Sequence, residues 1–265
     1  MAIDSNSYFS NQASVGLGAA TAGSFNKFDL HATPKYALGF KVEQADGSVY
    51  RYSHFGAATN RGLLVSQDIS ETSVVDTDNA IIAPASAVAV PDQTQKPGAL
   101  GSNYVEITLA AVTANQYRGG KFVTTDDTGE GYTYDILANT ATDNPASGNI
   151  RITLAQPLQV AVDTSTDFAI MGNPYSDLEA ATSTDEFPAG VSCSTSTTAL
   201  PYGWIQSKGV VGVLQNGSVT QGDVLVVAAS GGAAETQTGY TQPVIGFCTD
   251  PGDTTGQMIA KINLE

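Results

Sequence analysis

Basic residues are scarce in this chain, and their scarcity limits the partners that it can bind. Its 265 residues include 11 Lys and Arg against 26 Asp and Glu, which gives a net charge of −15 at pH 7. Binding to a nucleic-acid backbone depends on clustered Lys and Arg, because affinity there comes mainly from phosphate neutralisation and counterion release. The composition therefore argues against a nucleic-acid partner.

Histidine and cysteine, which often carry chemistry, are equally few. His31 and His54 stand apart from any cluster of metal-type ligands in the sequence, and a lone His is more often a surface or core residue than a general base. Cys193 and Cys248 are too few for a disulfide framework, and their separation matches no zinc pattern. We expect buried free thiols, with a disulfide formed after cell lysis as the less favoured alternative. No G-x-S-x-G, P-loop or H-E-x-x-H motif occurs, so we expect no catalytic residue, metal or cofactor.

Long apolar runs are also missing. No window of about 18 or more apolar residues occurs, so no membrane span is predicted. The first residues lack the basic and apolar regions of a signal peptide. We expect a soluble chain that is made in a cytoplasm and has no membrane partner.

What the sequence does contain is typical of β structure. Charged residues make up 14% of the chain, against roughly 25% in an average domain, so Ser, Thr, Asn, Gln and Gly must cover much of the surface. From Val112 to Tyr175, β-forming runs alternate with turn clusters at roughly 8- to 12-residue spacing, as short strands do. We predict a mainly β fold of short-stranded β-sandwich or β-barrel-like domains, with few helices and an extended N-terminal arm.

Local patterns predict particular turns and strands. Asp46-Gly47 and Asn216-Gly217 lie between β-forming runs and predict hairpin turns. The V-x-x-G-D-x-L pattern at 219–225 is common in small barrels, where a residue such as Gly222 lets a strand bend. The segment MIAKINL at 258–264 predicts the last strand, because its polar and apolar positions alternate.

An acidic segment at 126–130 has two interpretations. Asp126, Asp127 and Glu130 could together chelate Ca²⁺, which takes several oxygens at once. The D-x-D-x-D-G pattern of an EF-hand loop is absent. The sequence therefore favours an acidic hairpin turn between strands at 121–125 and 132–137.

Composition divides the chain into three parts. Residues 1–33 form the predicted arm, residues 34–181 a β-rich domain with a Pro-rich linker near 83–101, and residues 182–265 a C-terminal β-barrel-like domain. The arm is too polar to bury a core of its own. Its aromatic residues, which we expect to be its anchors, are Tyr8, Phe9, Phe25 and Phe28; a plain disordered terminus is the alternative. We expect Phe25 and Phe28 to be buried only when the arm docks on a partner or on a neighbouring copy, and deletion of residues 2–30 to leave a soluble, folded protein that binds its partner much less well.

Charge is unevenly placed along the chain. Residues 1–121 carry eight basic and ten acidic side chains, a net charge of −2, whereas residues 122–265 carry three and sixteen, a net charge of −13. The split predicts either different faces for a partner and for solvent, or a simple adaptation to solubility or to a salty habitat. If the split directs binding, we expect partner contacts to concentrate in residues 1–121 and residues 122–265 to face solvent or other copies. The candidate contact residues are Phe25, Lys27, Phe28, Lys35, Tyr36, Arg51 and Arg61.

Several phrases of the sequence resemble a family of tailed-phage virion proteins. The most specific are TANQYRGG at 113–120, GEGYTY at 129–134 and LAQPLQVA at 154–161. DGSVYRY at 46–52 is a looser match, and YGWIQSKG at 202–209 resembles the opening of a C-terminal barrel-like region in that family. Trp204, the sole tryptophan, is expected in the core or in a subunit interface rather than in a ligand platform.

The resemblance implies a head decoration, or cement, protein without enzymatic activity. Such a protein binds the outer surface of the assembled capsid, bridges subunits of the major capsid protein, and forms symmetric clusters, so a homotrimer or homodimer is expected. Two alternatives stay open. A head-fibre or tail-spike module would bind host-surface glycan, although β-helical repeats and a coiled-coil stem are absent. A cell-wall hydrolase would need a carboxylate pair that the sequence does not nominate.

Overall fold

The computed structural model describes residues 25–67, 74–77, 97–109, 111–143, 148–182, 188–229, 231–239 and 241–265. These residues form sixteen strands and no helix. The mainly β fold is therefore confirmed. No helix in this part of the chain is long and apolar enough to cross a bilayer.

The strands are short, with one exception near the C-terminus. In chain order the first eight are β1 (Lys41–Glu43), β2 (Val49–His54), β3 (Leu64–Gln67), β4 (Val74–Thr77), β5 (Tyr104–Thr108), β6 (Lys121–Asp126), β7 (Thr133–Asn139) and β8 (Asn149–Leu154). The other eight are β9 (Asp167–Met171), β10 (Leu178–Ala180), β11 (Gly190–Ser192), β12 (Tyr202–Leu214), β13 (Val224–Val227), β14 (Ala234–Thr236), β15 (Val244–Asp250) and β16 (Gln257–Asn263).

The strands belong to two compact units whose boundaries differ from the predicted domains. Unit 1 consists of residues 1–68 and 175–265, and unit 2 of residues 69–174. Strand β2 pairs with β12, and β3 pairs with β11, so the predicted boundary at residue 181 would cut through one sheet. Part of the predicted linker, residues 83–96, lies outside the described residues, as do Tyr8 and Phe9 of the predicted arm.

Unit 1 is organised around the long strand β12. The sheet order is β10-β3-β11-β12-β16-β15-β13-β14, and the β1–β2 hairpin joins it through β12. The first half of β12 pairs with β2 and β11, and the second half, from Lys208 to Leu214, pairs with β16. Lys208 is in register with both Val49 and Asn263. One strand thus connects residues from three distant parts of the sequence.

The sheet of unit 1 curls so that its ends approach each other. The backbone N–H of Leu64 in β3 donates to the carbonyl of Gly232, and the N–H of Gly232 donates to the carbonyl of Ala181, both at 2.7 Å. The curl encloses a core of aliphatic residues, among them Leu64, Leu225 and Ile262. Strand β16 shows the expected alternation, because its side chains point alternately into this core and away from it.

Unit 2 is a six-stranded antiparallel sheet with its own core. Its order is β4-β9-β6-β7-β8-β5. Phe122 and Phe168 stack with their ring centroids 5.2 Å apart, and both are fully buried with Ile152. The predicted hairpin between β6 and β7 is present, and its turn contains Asp127, Gly129 and Gly131 at positive φ.

The two predicted Gly turns of unit 1 have different outcomes. Gly47 has a φ of +80° in the turn between the paired strands β1 and β2, which confirms that hairpin. The chain bends at Asn216-Gly217, with a φ of +74° at Gly217, but this is not a hairpin turn, because β12 pairs with β16 rather than with β13. Gly222 lies in a turn before β13 and not within a bent strand, so that prediction was also wrong.

We expect Gly232→Ala to destabilise unit 1 more than Gly217→Ala does. Both glycines have a φ of +74°, so each substitution carries the left-handed backbone cost of about 1–2 kcal/mol. A Cβ at residue 217 has no other atom within 4 Å, whereas a Cβ at residue 232 would lie 2.7 Å from the Leu64 carbonyl oxygen and 2.8 Å from the Leu63 Cβ. Urea unfolding of the two variants measures the difference. Equal losses of stability would show that the close packing at Gly232 does not help to hold the two ends of the sheet together.

Candidate interaction surface

Several of the candidate contact residues pack against an aromatic cluster on β2 and β12. Its buried centre is Tyr50, Tyr52 and Trp204. The Trp204 ring lies 5.1 Å from the Tyr52 ring and 4.9 Å from the Phe25 ring, the latter edge-on. Trp204 is only 3% exposed, which confirms the expectation that it is a packing residue.

The segment 25–36 lies over this cluster and is fixed to it by backbone hydrogen bonds. The N–H of His31 donates to the Tyr202 carbonyl at 2.8 Å, and the Tyr202 N–H donates back at 3.1 Å. The Lys35 N–H donates to the Tyr52 hydroxyl at 3.2 Å, and the Ser194 hydroxyl donates to the Phe28 carbonyl at 2.9 Å. These bonds come from β2, β12 and the segment after β11, so the body of unit 1 positions the segment.

This attachment corrects part of the predicted arm. Phe25 was expected to be buried only on docking, but it is already half-buried against Tyr50 and Trp204 of its own chain. Deleting residues 2–30 would remove that packing and the bond from Ser194 to Phe28. We therefore expect that deletion to destabilise unit 1, which limits its use as a test of binding alone.

Phe28 and Lys27 lie side by side at the surface of the segment, with Phe28 exposed and Lys27 half-buried. The Phe28 side chain is 60% exposed. The Lys27 ammonium lies 5.3 Å from the centre of the Phe28 ring and 5.5 Å from that of Tyr50, within the range of a cation–π interaction. Lys27 makes no ion pair with any residue in the described part of the chain. An aromatic ring and a cation are thus held side by side in contact with solvent.

Tyr36, Lys35 and Arg61 belong to the same part of unit 1. Tyr36 packs on Phe40 with ring centroids 5.3 Å apart and also contacts the central cluster. Lys35 and Arg61 are exposed, and neither forms an ion pair within the described ranges. The N–H of Arg61 bonds to the Thr195 hydroxyl at 3.5 Å. Because Ser194, the preceding residue, bonds to Phe28, the short segment 193–196 connects Arg61 to the exposed ring.

Arg51 does not join this surface as a free cation. Its guanidinium donates to both carboxylate oxygens of Glu265, at 2.9 and 2.6 Å, and to the Gly39 carbonyl at 3.0 Å. The Ser207 hydroxyl also donates to Glu265, at 2.5 Å. Arg51 therefore stabilises unit 1, and its place among the candidate contact residues is not supported by this geometry.

The charge split along the sequence does not persist in the folded units. Unit 1 has seven basic and fourteen acidic residues, a net charge of −7, and unit 2 has four and twelve, a net charge of −8. Both units are therefore acidic to a similar degree. Any positive charge that directs binding must therefore come from local groups such as Lys27, Lys35 and Arg61 rather than from one half of the chain.

The histidines contact neighbouring side chains, and neither belongs to a metal-type cluster within the described residues. His31 Nδ1 lies 3.0 Å from the Tyr52 hydroxyl, and burial lowers its pKa. His54 Nδ1 lies 3.0 Å from a carboxylate oxygen of Asp177, and this hydrogen bond lowers the pKa of Asp177. The described residues contain no group of three or more His, Cys, Asp or Glu that could hold a metal ion.

Both cysteines are free thiols. Cys248 is buried in β15, and Cys193 packs beside the aromatic cluster, where burial raises its thiol pKa to about 12. A thiol with such a pKa is protonated and unreactive at neutral pH. The side chains thus act as small apolar groups.

The phrase TANQYRGG has a structural explanation in unit 2. Asn115 and Gly119 have positive φ values in its turn, and Tyr117 is 1% exposed. The Asn139 side chain accepts from the Tyr117 N–H and donates to the Thr113 carbonyl, both at 2.9 Å. A Cβ at Gly120 would overlap the Met171 carbonyl oxygen. The phrase is therefore explained by a buried turn that leads into β6.

Comparisons with known proteins give no relative for this chain. No family model, curated protein or solved structure matches it.

We expect Glu265→Gln to lower the free energy of unfolding at pH 7 by about 1 kcal/mol, because the charge-assisted bonds from Arg51 weaken and solvent screens part of them. The hydrogen bonds from Arg51 lower the pKa of Glu265. A carboxyl with a lowered folded-state pKa stabilises the fold above its unfolded pKa, about 4.3, and loses that contribution as the pH falls. The difference between the two proteins should therefore shrink below about pH 4.

Denaturant unfolding between pH 3 and 7 measures this effect. Glu43→Gln is the matched control, because Glu43 pairs with Lys41 at 3.1 Å in an exposed position and should change stability little. A stability difference for Glu265→Gln that does not vary with pH would contradict the assignment.

Proposed function

We propose that this protein decorates the outer surface of a tailed-phage capsid and acts by binding rather than by catalysis. The observation that carries the proposal is the exposed ring of Phe28 with the half-buried Lys27 beside it, held on the aromatic cluster by the hydrogen bond from the Ser194 hydroxyl to the Phe28 carbonyl and by the contact of Lys27 with the Tyr50 ring. The phrases that resemble phage virion proteins favour the capsid as the partner. The partner would be the major capsid protein, and the site of action the outside of the virion.

The composition of the surface suits this kind of contact. Trp, Tyr and Arg most often dominate binding energy at interfaces, and Phe is also enriched there. Here Phe28 supplies apolar area, and Lys27, Lys35 and Arg61 supply positive charge in an otherwise acidic unit. The segment is already ordered against Tyr50 and Trp204, so binding requires less loss of conformational entropy than it would for a free arm.

Stabilisation of a capsid requires only equilibrium binding. A decoration protein that contacts neighbouring capsid subunits buries surface across their joint, and specific interfaces bury about 1,200–2,000 Å² in total. Ligands that bind only the assembled state stabilise that state by mass action. Capsids that lack the protein should therefore lose DNA at lower temperature, and adding purified protein should restore them.

We expect Phe28→Ala to weaken binding to such capsids about tenfold, as loss of one central aromatic contact does. Lys27→Glu should weaken binding further and reduce its dependence on salt, because rim charges act through screened electrostatics. Cosedimentation of purified protein with capsids over a range of concentrations measures both effects.

Two controls match these substitutions. Leu137→Ala removes a side chain of similar exposure, 54%, from unit 2, and Lys41→Glu makes the same charge change elsewhere in unit 1. Both should bind as the wild type does. Unchanged binding by Phe28→Ala and Lys27→Glu would refute this contact surface, and binding to host cells but not to capsids would favour a glycan-binding fibre or spike instead.

A further inference from the structure

A run of hydrogen bonds through one hydroxyl joins the segment 25–36 to strand β2. The Lys35 N–H donates to the Tyr52 hydroxyl at 3.2 Å, and the same hydroxyl lies 3.0 Å from Nδ1 of His31. A tyrosine hydroxyl has one hydrogen to donate, and burial raises the pKa of Tyr52, so that hydrogen stays in place at neutral pH. Among the described residues His31 Nδ1 is the one acceptor within reach of it.

This arrangement requires a neutral imidazole at His31. In the neutral ring one nitrogen accepts and the other donates, whereas in the charged ring both nitrogens donate. A proton on Nδ1 would therefore place a donor against the Tyr52 hydroxyl, and the hydroxyl would lose the acceptor of its own hydrogen. Because Tyr52 is fully buried, water does not readily replace that acceptor. The docked segment thus disfavours a charged His31.

The charged and titratable groups around His31 act mainly in the same direction. Burial is the largest cause that lowers the pKa of His31, and the charge of Lys35 lowers it further. Asp29 raises it, and its effect is the smallest of the three. The His31 ring also faces Tyr52 of β2, with ring centroids 5.8 Å apart, and its backbone pairs with Tyr202 of β12. The docked segment therefore takes up a proton at His31 less readily than a released segment does.

We propose that His31 makes the docking of the segment 25–36 dependent on pH, and that acid releases the segment and with it the contact surface of Lys27 and Phe28. The release itself is a property of unit 1. Control of capsid binding by this release rests on the proposed function. The inference thus adds a form of regulation to the candidate interaction surface.

The direction and size of the effect follow from proton linkage. A solvent-exposed histidine has a pKa of about 6.5, and the docked form has the lower value. Docking is therefore fully stable above about pH 6.5 and weakens as the pH falls below it. The docking equilibrium constant falls by at most about tenfold per pH unit, until the pH reaches the lowered pKa of docked His31.

His54 provides a matched comparison on the same strand pair. Its ring lies 4.8 Å from that of Tyr202, and its Nδ1 lies 3.0 Å from a carboxylate oxygen of Asp177. A proton on His54 therefore gains an opposite charge, whereas a proton on His31 meets a hydroxyl hydrogen and the cation of Lys35. Only the second case opposes docking.

Amide hydrogen exchange measures the release, because the protection of each N–H reports its opening equilibrium. The relevant amides are those of His31, bonded to the Tyr202 carbonyl, and of Lys35, bonded to the Tyr52 hydroxyl. Between pH 6.5 and 5.5 we expect their protection to fall several-fold, and by at most about tenfold, while that of β16 stays constant. Fluorescence of Trp204, the sole tryptophan, gives the released fraction, because the Phe25 ring leaves it on release.

Two variants and one control assign the effect to His31. His31→Asn keeps an acceptor near the position of Nδ1 but does not titrate, so the protection of residues 31 and 35 should not vary with pH. Tyr52→Phe removes the hydroxyl with little change of shape and should reduce the pH dependence. His54→Asn is the control and should keep the wild-type dependence. Thermal unfolding at neutral pH checks that each variant is folded.

The outcomes separate this inference from the proposed function. Wild-type protection that does not change with pH, or that changes equally in His31→Asn, refutes the inference and leaves the proposed function intact, because binding at neutral pH needs only the docked segment. Protection that falls as expected in a protein that never cosediments with capsids refutes the proposed function alone. If both hold, capsid binding should fall in proportion to the docked fraction, and binding that does not follow this fraction refutes the control of binding by His31.

Discussion

The pairing of β12 is the constraint on which the rest of unit 1 depends. A strand inside a sheet must satisfy its backbone hydrogen bonds along both edges. Strand β12 pairs with residues 49–54 and 190–192 over its first half and with residues 257–263 over its second half. Its first half holds Trp204 under the segment 25–36, and its second half carries Val210 on the outer face. The candidate interaction surface therefore relies on this strand.

The sequence predicted what depends on neighbouring residues. The hairpin at Asp46-Gly47, the acidic turn after β6 and the alternation of β16 follow from turn chemistry and period-two patterning, which act within a few positions. The sequence could not predict pairings between distant segments. Strand β2 meets β12, and Arg51 meets Glu265, 214 positions away, and such contacts leave no local pattern. For the same reason the sequence did not show that β12 pairs with β16, and Asn216-Gly217 was wrongly predicted to be a hairpin turn.

The candidate site was predicted in part. Aromatic residues and cations in the segment 25–36 were identified from composition, and Phe28 and Lys35 are exposed, whereas Lys27 is half-buried. Phe25 and Tyr36 pack inward, because the apolar face formed by Tyr50, Tyr52 and Trp204 needs covering. The exposure of Val210, Phe247 and Ile259 could not be predicted, since these side chains resemble core residues until the pairing shows which face each occupies. Alternation along a strand shows which residues share a face, but it does not show which of the two faces is exposed to solvent.

The number of copies in purified virions tests the central claim, attachment to the capsid surface, most directly. Quantitative mass spectrometry against labelled peptides of this protein and of the major capsid protein gives the ratio of the two. A decoration protein occupies symmetry-related sites over the whole lattice, so the account predicts a copy number comparable with that of the major capsid protein. A few copies per particle would place the protein on the tail or a fibre and contradict the account.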